Sequence, residues 1–122
     1  MTLNYLKQFF YLNKMTKSYL NLINNNEKIL IISKDNCTLC DKLKNLFDTI
    51  DIDYTTYEYI EEEDDNLLFK TEMKETTGGT LFPFCYFNNK YIGNYKDIHK
   101  NLMTGKLTEQ LLEIGIEYEE YF

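Results

Sequence analysis

The stretch Ile29-Leu30-Ile31-Ile32-Ser33-Lys34-Asp35-Asn36-Cys37-Thr38-Leu39-Cys40 decides the fold. Its first four residues are a continuous apolar run, rich in β-branched side chains and bounded by polar ones, which is the pattern of a strand buried on both faces. Ser33 to Asn36 reads as a loop. Beyond it Leu39, Leu43, Leu46, Phe47 and Ile50 recur every three to four residues and define one buried helix face. Cys37 therefore stands where a central strand gives way to the N-terminus of a helix.

Working outward, the apolar positions of residues 3–23 follow a loose helical period that ends at Asn24-Asn25-Asn26. Asp53 to Ile60, rich in Tyr and Thr, predicts a second strand. The acidic run Glu61 to Asp65 precedes a helix expected from Asn66 to Glu75, and acids at a helix start suit its dipole. Thr77-Gly78-Gly79-Thr80 is a loop, and Phe84 to Phe87 predicts a third strand that turns at Asn88-Asn89 into a fourth, Lys90 to Ile92. Gly93-Asn94 breaks the chain before terminal helices at Tyr95 to Met103 and Leu107 to Ile114, and the Tyr- and Glu-rich tail from Glu117 is expected to fray. A helical crossover makes the first two strands parallel, and the hairpin makes the last two antiparallel. The expected class is α/β, with helices on both faces of a small mixed sheet.

At 122 residues the chain has room for about one domain. Its 43% hydrophobic and 16% aromatic residues can fill a core, and no apolar run is long enough to span a bilayer as a helix. Charge divides it unevenly: residues 1–26 hold Lys7, Lys14 and Lys17 and no acid, whereas residues 27–122 hold 10 Lys against 20 acids. We therefore divide the chain into a basic N-terminal extension with the first helix (1–26), a compact domain (27–116) and an acidic tail (117–122). A body carrying −10 repels phosphate backbones, which argues against nucleic-acid partners. Leu6 to Leu12 is interrupted by Lys7 and Gln8, which argues against a secretory signal. The acid-free extension fits a mitochondrial presequence or a plain helical extension, and Met15 is a second candidate start. Arg is absent, so any site for an anion must use Lys, a point charge without a forked geometry.

The three cysteines, Cys37, Cys40 and Cys85, are the wrong number for a secreted disulfide framework, and a reducing compartment, the cytoplasm, is the default. At a helix N-terminus the unpaired N–H groups and the positive dipole end favour a thiolate at Cys37. Cys40 lies one turn further along the same face, within reach of a mixed disulfide on Cys37. These positions give a nucleophile and a resolving thiol, and Lys34 adds a positive charge nearby. The competing reading is half a zinc site completed by Cys85 and His99. Cys85, inside an expected buried strand, reads more simply as a small core residue, and His99, among charged neighbours, as a surface one.

Three motifs resemble those of the glutaredoxins, a family of the thioredoxin superfamily. Ile32 to Cys40 resembles their strand–Ser-Lys-x-x-Cys-x-x-Cys active site, Thr77-Gly78-Gly79-Thr80-Leu81-Phe82-Pro83 their Thr-Gly loop and cis-proline, and Asn89 to Asp97 their last strand, Gly break and Asp. The resemblance implies a thioredoxin-like three-layer α/β/α fold with a four-stranded mixed sheet. It implies a dithiol oxidoreductase with catalytic Cys37 and Cys40 and glutathione as electron donor, and a monomer is the expected state. Its clients would be disulfide-containing or glutathionylated proteins. By the same resemblance Lys34 would meet the glycine carboxylate of glutathione, the backbone of Phe82 beside Pro83 its cysteinyl part, and Asp97, next to Lys96, its γ-glutamyl ammonium. Each has a matching charge or hydrogen-bonding group.

The sequence departs from the pattern at four positions. Thr38 and Leu39 replace a common Pro-Tyr, Asn94 replaces the second Gly, and Lys96 stands where a small or acidic residue is common. Two alternatives follow on the same fold: a glutathione-assisted [2Fe–2S] carrier or low-turnover adaptor, and a dithiol reduced by a thioredoxin reductase.

Overall fold

The structure, a computed structural model, describes residues 19–24, 27–60, 67–79 and 81–118. In chain order the elements are α1 (Tyr19–Ile23), β1 (Ile29–Lys34), α2 (Thr38–Thr49), β2 (Thr55–Tyr59), α3 (Leu67–Thr77), β3 (Phe84–Phe87), β4 (Lys90–Gly93), α4 (Tyr95–Thr104) and α5 (Lys106–Glu113). The strands form one sheet in the order β2-β1-β3-β4, with β1 parallel to β2 and antiparallel to β3, and β3 antiparallel to β4. This is a thioredoxin-like α/β fold with a four-stranded mixed sheet.

β1 is central because its apolar run can bury both faces. Leu30 and Ile32 point into a core with Tyr19, Ile23, Phe69 and Met73, from α1 and α3. Ile29 and Ile31 point the opposite way, against Leu43, Phe47, Ile98, Leu107 and Leu111, from α2, α4 and α5. The β3–β4 hairpin turns at Asn88 and Asn89, both at positive φ as a type I′ turn requires.

Several boundaries differ from the sequence expectation: β1 continues through Ser33 and Lys34, read above as loop, because both pair with β2, and β2 itself is confined to Thr55–Tyr59 instead of Asp53 to Ile60. α3 runs to Thr77 because the hydroxyls of Thr76 and Thr77 donate back to the carbonyls of Glu72 (2.6 Å) and Met73 (2.7 Å), four residues earlier. Past α5 the described chain stays against the core as far as Tyr118. Gly115, at φ +81, lets the Ile116 N–H reach the Leu111 carbonyl (2.9 Å) and its own N–H reach Leu112 (2.9 Å), a Schellman closure that directs Ile116 and Tyr118 onto the second core. The expected helix before residue 19, the acidic run Glu61 to Asp65, Thr80 and residues 119–122 lie outside the described residues.

Candidate active site

The topology brings four chain segments to one end of the sheet: the end of β1 with Lys34, the start of α2 with both cysteines, the loop entering β3 with Phe82 and Pro83, and the start of α4 with Lys96 and Asp97. Segments far apart in sequence thus share one edge.

Cys37 is the N-cap of α2. Its backbone is extended, and its Sγ accepts a hydrogen bond from the Cys40 N–H at 3.1 Å. A cap accepts from an otherwise unpaired amide, so the sulfur replaces the hydroxyl or carboxylate usually found there. Once reduced, the same amide and the helix dipole favour the anionic sulfur. Cys37 and Cys40 are joined by a disulfide, with Cα atoms 5.2 Å apart. Their environments differ: Cys37 is half-buried, while Cys40 is 0% exposed and packs in the core with Phe82 and Phe84. Of the two, only Cys37 is partly exposed to solvent.

The Phe82–Pro83 peptide is cis, as the resemblance implies; both residues are buried, and Phe82 packs in the same core as the cysteines. Proline lacks an N–H, so position 83 carries no backbone donor. The Phe82 ring rests against Tyr59 (centroids 5.2 Å apart) and Phe84 (5.0 Å), and the Lys34 ammonium lies 5.1 Å from its centroid.

At the start of α4 the sequence departure at Asn94 has a structural reason. Asn94 is the N-cap, its Oδ1 accepting from the Asp97 N–H (3.2 Å) while its own N–H donates to Asp97 Oδ2 (3.0 Å), a reciprocal capping box. Asp97 thus has a fixed carboxylate and remains exposed, as does Lys96. Gly93 makes this close turn possible. Its φ is +148°, and a Cβ placed there would lie 2.5 Å from Asp97 Cβ and Oδ2.

Sequence reasoning missed one polar cluster at this end. Ser33, fully buried, donates to Glu58 Oε1 at 2.6 Å, and Lys44 from α2 donates to the same oxygen at 2.7 Å. Burial would raise the Glu58 carboxyl, but these hydrogen bonds and the Lys44 charge hold it below its ordinary range. Residue spacing carried no signal for it, because strand register alone sets Glu58 opposite Ser33. The capping box was missed as well, although the Asn94-x-x-Asp97 spacing is a signal that could have found it.

The remaining candidates lie apart from the dithiol. Cys85 is 0% exposed in β3, on the α2/α4/α5 side of the sheet, and burial raises its thiol well above the ordinary range. His99 is exposed on α4 with its ring 5.7 Å from that of Tyr95. Among the described residues no group of three or more Cys, His, Asp or Glu could hold a metal ion, so the zinc set is not assembled. No helix among them is long and apolar enough to cross a membrane.

The family model described as glutaredoxin matches residues 29–92. Glutaredoxin-2 of Schizosaccharomyces pombe is 23% identical over 103 residues, covering 84% of this chain and 93% of that protein. The mitochondrial glutaredoxin-2 of Bos taurus is 29% identical over 82 residues, covering 67% of this chain and 52% of that protein, so the match spans about half the bovine relative. The crystal structure of a buckwheat glutaredoxin–glutathione complex superposes with a TM-score of 0.68 at 28% identity, over 80% of this chain and 87% of that one. Because the family match runs from β1 through the dithiol and the cis-proline into the last strand, the chain belongs to the glutaredoxin family of thiol-disulfide oxidoreductases.

Proposed function

We propose that the protein uses glutathione to reduce protein disulfides or glutathione mixed disulfides, with Cys37 as nucleophile and Cys40 as resolving thiol. The observation that carries this reading is the asymmetry of the pair: Cys37 caps α2 and is accessible, whereas Cys40 is fully buried behind it. The Cys37 thiolate attacks one sulfur of the substrate disulfide, that S–S bond breaks, and the departing thiolate takes a proton. Cys40 then attacks the mixed disulfide at the Cys37 sulfur, releases the second substrate thiol and leaves the Cys37–Cys40 disulfide. Two glutathione molecules reduce it and emerge as one glutathione disulfide.

In this reading Lys34 binds the glycine carboxylate, the Phe82 backbone and the Pro83 ring receive the cysteinyl part, and Asp97, with Lys96 beside it, receives the γ-glutamyl end. The exposed Lys34 and the capping-box geometry of Asp97 support these roles. The catalytic unit is residues 27–116 together with α1 and Tyr118, which pack onto its cores, and it works as a monomer in a reducing compartment such as the cytoplasm.

The test is glutathione-dependent turnover of a small mixed disulfide by the reduced protein, with Cys37→Ser and Cys40→Ser in parallel. Turnover lost in the first and retained in the second supports the assignment, because deglutathionylation needs one thiol. Turnover that persists in Cys37→Ser sinks it. A wild type inactive with glutathione but active with a thioredoxin reductase, or one that gains visible absorption and dimerises on anaerobic reconstitution with iron, sulfide and glutathione, replaces the donor or the function accordingly.

A further inference from the structure

We propose that the side chain of Phe82, and not only its backbone, is a positioning residue for glutathione: its ring holds the Lys34 ammonium in place to receive the ligand's carboxylate. The inference rests on the binding role proposed for Lys34. Lys34 is exposed at the end of β1, and its Nζ lies over the Phe82 ring, 5.1 Å from the centroid. An ammonium at that distance is attracted to the negative face of the ring. The ring itself cannot swing away. It is 8% exposed and is held between Tyr59, at 5.2 Å and 46°, and Phe84, at 5.0 Å and 61°.

A free lysine has four rotatable bonds, and immobilising such a side chain on binding opposes affinity. An ammonium already resting on a fixed ring loses less freedom when a carboxylate arrives. Because the chain contains no Arg, it has no rigid fork to provide that order, and the aromatic support takes its place. Phe82 then contributes to binding twice, since its backbone lies beside the cis-proline and its ring orients the cation that faces the anionic end of the same ligand.

The test is a double-mutant cycle on KM for a glutathione mixed-disulfide substrate, using Lys34→Met, Phe82→Leu and the pair, with Phe82→Tyr as the aromatic rescue. Phe82→Leu is expected to raise KM about two- to fivefold while kcat stays within about twofold. Lys34→Met should raise KM less in the Phe82→Leu background than in the wild type, and Phe82→Tyr should restore the wild-type value. Additive effects of the two substitutions, or a KM in Phe82→Tyr as high as in Phe82→Leu, overturn the positioning role and leave the binding role of Lys34 intact. No effect of Lys34→Met in the wild-type background overturns the binding role and the inference with it. A second readout needs no substitution: the Lys34 ε-methylene protons should be shifted upfield by the ring current in the proton NMR spectrum of the wild type, and a shift equal to that of an exposed lysine contradicts the inference.

Discussion

Replacing Gly93 with Ala strains the backbone and the capping box of this site at once. The backbone at Gly93 has φ +148°, where an L-residue is strained by about 1–3 kcal/mol. The new methyl would also lie 2.5 Å from Asp97 Cβ and Oδ2, so the Asp97 side chain must leave the capping box. That loses the Asn94 N–H to Oδ2 bond, and a lost cap costs about 0.5–2 kcal/mol. Together the two effects predict a destabilisation of about 1.5–5 kcal/mol in urea unfolding. The variant should also bind glutathione substrates less well, because the carboxylate proposed for the γ-glutamyl end has moved. Asn94→Ala separates the causes: it removes the side-chain acceptor of the Asp97 N–H without the strained φ, and should cost only about 1 kcal/mol. A Gly93→Ala protein as stable as the wild type, or one that matches Asn94→Ala, refutes the claim that Gly93 is required by its backbone and by contact with Asp97.

Three further outcomes are expected. The Glu58 carboxyl is held below its unfolded value, so its contribution is present above a pH of about 4.3 and is lost as pH falls through the lower folded value; Glu58→Gln should flatten acid unfolding there, by less than about 1 kcal/mol because the group is 44% exposed. Cys85, fully buried and with its thiol raised, should resist iodoacetamide in the folded, reduced protein while Cys37 reacts, and labelling of both at equal rates would contradict that contrast. The Tyr19 and Tyr86 hydroxyls are hydrogen-bonded to each other in the core; Tyr19→Phe should cost about 1–3 kcal/mol by orphaning Tyr86, and the double Phe variant should recover most of that in thermal unfolding.

The elements of this fold were legible where local pattern and burial agree. The β1 run is apolar on both sides because it is central, the α2 period marks one buried face, and Asn88-Asn89 supplies the positive φ values of its turn. The dithiol was legible for the same reason, since strand, loop and helix meet at Cys37. What the sequence hides is long-range geometry. Neither the Lys34–Phe82 contact nor the Ser33–Glu58–Lys44 cluster has any spacing to announce it, because each depends on strand register and on which helix lies above. The residues just after α5 are hidden for a related reason: their spacing does not announce packing, but one left-handed glycine turns Ile116 and Tyr118 onto the second core.

The nucleophile can be identified by trapping. Reduced Cys40→Ser protein, incubated with glutathione disulfide and measured as an intact mass with peptide mapping, should carry one glutathione on Cys37, and Cys37→Ser should carry none on Cys40. An adduct that forms as readily on Cys40 of the Cys37→Ser protein, or no adduct on Cys37 at all, would contradict an accessible Cys37 nucleophile in front of a buried resolving thiol.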